Sequence, residues 1–230
     1  NKIKKMIGKI KKKLHIFHNI YIKHNYLKNR LSYSMDGEDL IISDYFKKKS
    51  NGIYIDVGCY HPIHRNNTFL LYKKGWRGIN IDIHNFSIEL FKFLRPDDLN
   101  YNFAVSDKNE KIKMYFQKEL SQISTIENTQ AKKAFQGKIK EKIIQSYTLN
   151  EVMRFSKLED KKIDFLDVDV EGADFKVLQG LSFEKFKPEV ICVEIHDKNI
   201  KESKTFKLLR DYKYDLIWSG VFSHIFKFKN

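Results

Sequence analysis

The sequence predicts an α/β fold built on a doubly wound sheet. Three observations predict it. Gly52-Ile53-Tyr54-Ile55-Asp56-Val57-Gly58 places β-branched residues at alternate positions between glycines and stops at an acid followed by a turn, the signature of a short buried strand. Gly78-Ile79-Asn80-Ile81-Asp82 repeats the pattern and again ends on an acid. Helical segments separate these runs from each other and from a further strand over 101–106, giving βαβαβ, the half-repeat of a doubly wound sheet.

The elements follow in order. Residues 1–33 read as a basic N-terminal helix ahead of a single domain over 34–230. Met6, Ile7, Ile10, Leu14, Phe17 and Tyr21 recur at three- to four-residue spacing, so this helix is amphipathic. It is expected to pack on the side of the domain or on a second subunit; the alternative is a membrane-surface helix over residues 1–30. Ser34 or Asp36 is placed to cap the next helix, whose first turn carries Glu38 and Asp39 to complement the dipole. Residues 68–75 read as a helix stopped by Gly75, and 87–94 as another, closed ahead of Pro96. Residues 110–117 alternate and read as an extra strand after a turn at 107–109, with 138–147 as its partner. The polar stretch 120–130 is expected to act as a lid. Thr148 is placed to cap a short helix to 156. A fourth core strand over 163–172 runs into a dense acidic end, Asp167-Val168-Asp169-Val170-Glu171-Gly172, followed by a helix over 173–180. A fifth strand covers 189–195 and leads to His196 and Asp197. After a helix over 205–210, the segments 212–218 and 221–228 flank Ser219-Gly220 as a terminal hairpin.

With 230 residues, 42% of them apolar, the chain is globular and able to bury a substantial core, which excludes a disordered class. The net charge is +14, and only six of the 43 basic residues are arginine. Abundant Lys, Ile, Asn, Phe and Tyr fit an AT-rich coding bias as readily as a function. Sequence-specific nucleic-acid sites favour arginine forks, so the charge is weak support for nucleic acid. It equally allows an acidic glycan, an acidic partner or an anionic membrane surface. Cys59 and Cys192 show no pair spacing, and a reduced, cytoplasmic protein is expected. No apolar run approaches the ~18 residues of a membrane span. The apolar patch over 14–22 lacks a small-residue cleavage site, so it does not read as a signal peptide. Peripheral membrane contact through residues 1–30 remains the alternative.

Asp56 and Gly58 lie at the carboxyl end of a strand, where open α/β sheets bind ligands. Gly58 lets the backbone turn and approach a ligand closely. Asp82 comes about 26 residues after Asp56, near the spacing of ~20 at which an acid receives ribose hydroxyls in dinucleotide sites. The turn lacks G-x-G-x-x-G: Cys59-Tyr60-His61-Pro62 follow Gly58. That disfavours a pyrophosphate on a helix start and suits a nucleoside without one.

In order along the chain, Ser34 to Leu40, Tyr54-Ile55-Asp56-Val57-Gly58, Asn67-Thr68, Gly75-Trp76-Arg77-Gly78-Ile79-Asn80-Ile81-Asp82, Arg95-Pro96-Asp97-Asp98, Ala104-Val105-Ser106-Asp107 and Asp167-Val168-Asp169-Val170-Glu171-Gly172 resemble the FkbM-type family of S-adenosylmethionine-dependent methyltransferases. The resemblance covers residues 34–197. It implies the class I methyltransferase (Rossmann-like) fold, a three-layer sandwich with a mostly parallel seven-stranded sheet and an antiparallel strand in the C-terminal hairpin. It also implies an O-methyltransferase using S-adenosyl-L-methionine on hydroxyls, often of sugars in surface glycans. The chain departs from the family at Met35, where Gln is usual, and at His61-Pro62, which replace a second glycine.

By this resemblance Asp56 and Gly58 hold the methionine end of the cofactor, and Asp82 takes both ribose hydroxyls. Ala104, Val105 and Ser106 border the adenine, with Glu38 reaching in from the preceding helix. Transfer to a weakly nucleophilic hydroxyl calls for a base, and the candidates are Asp169, Glu171 and His196, of which the histidine titrates in the useful range. Alternation along the fourth strand places Asp167, Asp169 and Glu171 on one side, where like charges raise one another's pKa unless a cation intervenes. A divalent metal at Asp167, Asp169 and Glu194 is the weaker reading, and no metal is expected. His61, Arg65 and Asn67 are expected to contact the saccharide acceptor, and Trp76 to lie in the core. Two other readings stay open. One is a nucleic-acid methyltransferase, suggested by the charge but lacking an Asn/Asp-Pro-Pro-Tyr base-flipping motif. The other is an inactive basic module that docks on a membrane or partner.

Overall fold

A computed structural model of the chain describes residues 2–117, 125–134 and 136–229. Helix α1 (Lys2–Phe17) runs into a π-helical segment, His18–Lys23, and an irregular stretch leads to α2 (Glu38–Tyr45). The Rossmann-like half follows as β1 (Ile53–Val57), α3 (Phe69–Lys73), β2 (Arg77–Ile81), α4 (Asn85–Leu94) and β3 (Leu99–Tyr101). An insertion comes next: β4 (Ala104–Val105), β5 (Lys111–Phe116), α5 (Asn128–Ala134) and β6 (Lys140–Tyr147). The chain closes with α6 (Leu149–Phe155), β7 (Phe165–Val168), α7 (Asp174–Gln179), β8 (Val190–Glu194), a 3-10 turn at Ile200–Glu202, α8 (Lys204–Asp211), β9 (Tyr214–Ser219) and β10 (Ser223–Phe228).

Seven strands form one sheet in the order β3-β2-β1-β7-β8-β10-β9. The pairs from β3 through β8 are parallel, and β10 runs antiparallel to both β8 and β9. This is the mostly parallel sheet with an antiparallel C-terminal strand that the sequence predicts. The central strands are covered on both faces, which explains their near-continuous apolar composition. One face carries Ile55, Val57, Leu166, Val168, Ile191 and Val193 against the helices that follow β6. The other carries Tyr54, Phe165, Val190 and Cys192 against Ile42, Phe46, Leu71 and Trp76. Trp76 is fully buried there, and both thiols are buried and unbridged.

Several local expectations are corrected. The strand expected over 101–106 splits between two sheets: Leu99–Tyr101 pairs with β2, and Ala104–Val105 pairs with β6 in a small sheet ordered β4-β6-β5. The break sits where the Asn102 amide donates to the Asp82 carbonyl at 2.9 Å and Phe103 turns into an aromatic cluster with Tyr101, Tyr147 and Phe155. The position before α2 is Gly37 at φ 90, not Ser34 or Asp36; Ser34 Oγ accepts the Asp39 N–H from outside the helix at 3.3 Å. Residues 118–124, most of the expected lid's first half, lie outside the described residues. Of the rest, Thr125 bridges to Tyr115 and Asn128–Ala134 is helical. Thr148 does cap α6, accepting the Glu151 N–H at 3.2 Å.

Helix α1 docks through its C-terminal end. His15 stacks on Phe86 at 4.5 Å, Lys12 pairs with Glu89 at 3.0 Å, and Ile16 and Ile20 are buried beside Tyr33, Ile63, Phe69 and Leu90. The amphipathic helix therefore does pack on the side of the domain, but not by its apolar stripe. Met6, Ile7, Ile10, Leu14 and Phe17 all face outward.

The loop between β1 and α3 is tied down by a buried polar network. Arg95, fully buried at the end of α4, donates to Thr68 Oγ1 at 2.8 Å, to Asn66 Oδ1 at 2.7 Å and to the Pro62 carbonyl. Thr68 and Asn66 in turn donate to Asp56 Oδ2 at 2.7 and 3.0 Å. Phe69, Tyr72 and Phe91 surround the guanidinium with their ring faces. Replacing Arg95→Met strips the cation from a buried charged network, a change of about 3–5 kcal/mol. Urea denaturation is expected to show a loss of that order; a loss below about 1 kcal/mol contradicts the assignment.

Candidate active site

Two hollows meet above the carboxyl ends of β1, β2 and β7, where a doubly wound sheet binds ligands. The first is a slot of about 520 Å³ walled by Ile81, Ile83, Phe103, Ala104, Val105 and Ile126, with Asp82 as its acid at the end of β2. The second is a wider chamber of about 980 Å³ lined by Asp36, Glu38, Arg65, Asn67, Glu194 and His196, among others. Gly58, Tyr60, Asp169 and Glu171 border both hollows, so they form one continuous cleft.

Gly58 shapes the junction. It has φ +83, and a Cβ there would stand 1.7 Å from the Asp169 carbonyl oxygen. Its missing side chain lets β1 and β7 meet at their ends, where the Asp169 N–H donates to the Val57 carbonyl at 2.9 Å. The glycine thus serves a strand-to-strand approach as well as the turn.

The structure sorts the predicted residues. Asp82 lines the slot; its oxygens accept the Tyr60 N–H at 2.9 Å and the His84 N–H at 2.7 Å. Ala104 and Val105 line the same slot, whereas Ser106 lies outside it, bonded to Asp107 and to the Tyr147 carbonyl. Glu38 borders the chamber, accepting the Asp36 N–H at 2.8 Å. Asp56 borders neither hollow. It is buried beneath the loop and belongs to the Arg95 network, so the expected grip of Asp56 and Asp82 on opposite ends of one ligand is half absent. Arg65 and Asn67 reach the chamber, but His61 does not. It is fully buried, with Nδ1 accepting the Ile63 N–H at 3.2 Å and Nε2 at 2.8 Å from Asn19 Oδ1. Both ring nitrogens are engaged inside the protein, and burial pushes its pKa well below the histidine range.

The acidic end of the fourth strand also differs. β7 stops at Val168, and Glu171 takes φ 54 in a turn closed by Asp174, which accepts the Val170 and Gly172 N–H groups at 3.1 Å each. Alternation therefore does not govern these acids. Asp167 is buried below the cleft and takes a hydrogen bond from Asn67 at 3.1 Å, while Asp169 and Glu171 open into the cleft. Among the described residues, Glu171, Glu194 and His196 bring potential metal-ligand atoms within 4.8 Å of one another. This set shares only Glu194 with the Asp167, Asp169 and Glu194 set expected from the sequence. His196 Nε2 and Glu194 Oε2 already pair at 2.9 Å.

Sequence reasoning missed Phe103 and the Phe222–Ser223 contribution from the hairpin, whereas Thr125 and Ile126, which wall the slot, belong to the 120–130 stretch expected to act as a lid. Ile83 carried one local signal, its position directly after Asp82.

The electrostatics follow from crowding. Desolvation of its carboxyl, then the charges of Glu194, Glu171, Asp174 and Asp167, raise Asp169 above the usual range, although the residue as a whole is exposed at the cleft. Burial and then Glu194 raise Glu171 to about 7, and the same two causes raise Asp174 to about 7. His196 is raised chiefly by its hydrogen bond to Glu194, against desolvation. A chain with net charge +14 thus holds a carboxylate-rich chamber suited to a cationic ligand, joined to an apolar slot suited to a flat ring.

The family profile described as "Methyltransferase FkbM domain" matches residues 56–216. Neither a curated protein nor a solved structure matches the chain.

The raised acids make stability depend on pH. Between its unfolded value near 4.5 and its folded value of about 7, Glu171 binds its proton more tightly when folded. Stability therefore falls as pH rises through that window. Glu171→Gln is expected to raise Tm at pH 8 by about 2–4 °C, the shift that ~1 kcal/mol makes in a chain of this size, and to leave Tm unchanged at pH 4.5. Equal Tm values at both pH values contradict the reading.

Proposed function

This chain belongs to the FkbM methyltransferase family, and we propose that it is an S-adenosyl-L-methionine-dependent O-methyltransferase acting on a hydroxyl of a saccharide or glycan-linked acceptor. The observation that carries the reading is the continuous cleft, an apolar slot with an acid at its edge opening past Gly58 into an acidic chamber.

The residues present fit the cofactor. Ile83, Phe103, Ala104 and Ile126 offer a flat apolar surface for adenine. The Asp82 carboxylate at the slot's edge suits a ribose diol. Glu38 and Asp169 line the chamber with carboxyl groups suited to an ammonium and a sulfonium, a cation there favouring their ionised form. When bound, the cofactor supplies an electrophilic methyl group on a cationic sulfur. The protein's work is to hold the acceptor oxygen in line with that carbon and to exclude water.

Glu171, with its pKa near 7, is matched to accept the proton of the attacking hydroxyl at neutral pH. His196, paired with Glu194 at 2.9 Å on the same chamber wall, is a second candidate to exchange a hydrogen bond with the acceptor. Arg65, Asn67 and Ser223 add polar groups on the chamber wall, suited to a hydroxyl-rich molecule. The same chamber weighs against nucleic acid: Asp36, Glu38, Asp169, Glu171 and Glu194 line it and would repel phosphates.

Isothermal titration is expected to show S-adenosylmethionine binding that Asp82→Asn weakens ~10- to 100-fold, the scale of a charge-assisted hydrogen bond. Unchanged affinity in the variant, or no binding by folded wild type, contradicts the cofactor assignment. With a saccharide panel as acceptor, methyl transfer should rise with pH through about 7, and Glu171→Gln should lower kcat by about 10²–10⁴. Transfer to RNA or DNA alone would overturn the acceptor class.

A further inference from the structure

The N-terminal helix displays its apolar side to solvent. Met6, Ile7, Ile10, Leu14 and Phe17 are 56, 44, 50, 62 and 50% exposed. At ~100° per residue these five fall within an arc of about 100° on α1. The groups that dock the helix, Lys12, His15 and Ile16, centre about half a turn away from that arc. The stripe therefore faces away from the domain. The exposed apolar series continues through Ile22, Leu27, Leu31 and Met35.

Charge identifies what covers it. Residues 1–35 hold nine lysines and one arginine, and no aspartate or glutamate. They carry ten of the fourteen net positive charges. On the helical wheel Lys11 borders one edge of the stripe, and Lys13 and then Lys9 border the other. An apolar face edged by lysines is the arrangement of helices that lie in a bilayer interface, with apolar groups in the acyl boundary and ammonium groups at the headgroups. A second copy is a poor occupant. Apposing two such faces would bring together two sets of ten cations with no acid from this segment to pair them. Among the described residues no helix is long and apolar enough to cross a membrane, so the geometry is that of a surface contact.

We propose that the outward face of α1 docks the protein on an anionic lipid surface. Flotation of the full chain with phosphatidylcholine vesicles containing phosphatidylglycerol, alongside vesicles of phosphatidylcholine alone, tests this. Binding is expected to the anionic vesicles only and to weaken with added salt. The triple variant Ile7→Ser, Ile10→Ser, Leu14→Ser is expected to lose binding at least about tenfold, with Tm and S-adenosylmethionine affinity unchanged, since these side chains are exposed and belong to neither a core cluster nor the cleft. Three results would each overturn the proposal: wild type that does not float with anionic vesicles, a triple variant that floats as well as wild type, or a concentration-dependent dimer that the triple variant abolishes.

Discussion

One buried cation organises the functional end of this fold. Arg95 has no exposed surface, yet its guanidinium reaches the Pro62 carbonyl, Asn66 and Thr68, and through the last two the carboxylate of Asp56. A charge taken out of water is tolerated when most of its donors find acceptors and a counter-charge lies near. The two terminal nitrogens find theirs on the segment from Pro62 to Thr68 and fix it, while Nε is left without a partner among the described residues. Tyr60 and Arg65 are both held at left-handed φ, 49 and 51, a conformation that persists only where surrounding contacts over-determine it. The result is a loop that presents the Tyr60 N–H to Asp82 and sets Arg65 and Asn67 along the chamber. Asp56 thus acts through the loop it anchors.

The second constraint is charge segregation. Cations gather on residues 1–35, while the cleft gathers carboxylates that desolvate and repel one another. Such crowding lowers the stability of the empty protein at neutral pH, and a cationic ligand in the cleft relieves it. Sites that trade stability for function are the usual place for such conflicts. Net charge alone therefore does not describe the cleft: ten of the fourteen net positive charges lie on residues 1–35, and the cleft has the reverse sign.

Most of the sheet was legible in the sequence because its central strands are short, β-branched and bounded by glycine, and because the ordered motifs carry a family resemblance. Asp82 was legible for the same reason, standing at the end of such a strand. What was not legible depends on tertiary closure. Asp56 and Asp82 look alike in sequence, each a strand-terminal acid, yet only the fold shows that Asn66, Thr68 and Arg95 close over the first. His61 reads as a loop histidine near a site until Asn19, from the π-helical segment, is seen to take its second nitrogen. The alternation that placed Asp167, Asp169 and Glu171 on one side fails because the strand ends at Val168 and a left-handed residue follows. The slot's far wall comes from Thr125 and Ile126, within the polar 120–130 stretch expected to act as a lid, although nothing local singles out these two residues.

The most direct measurement is a crystal structure with S-adenosylhomocysteine, the demethylated product. The account predicts adenine against Ile83, Phe103 and Ile126, ribose hydroxyls on the Asp82 carboxylate, and the sulfur facing the chamber that holds Glu171 and His196. A nucleoside bound elsewhere, or one seated with its ribose away from Asp82, would contradict it.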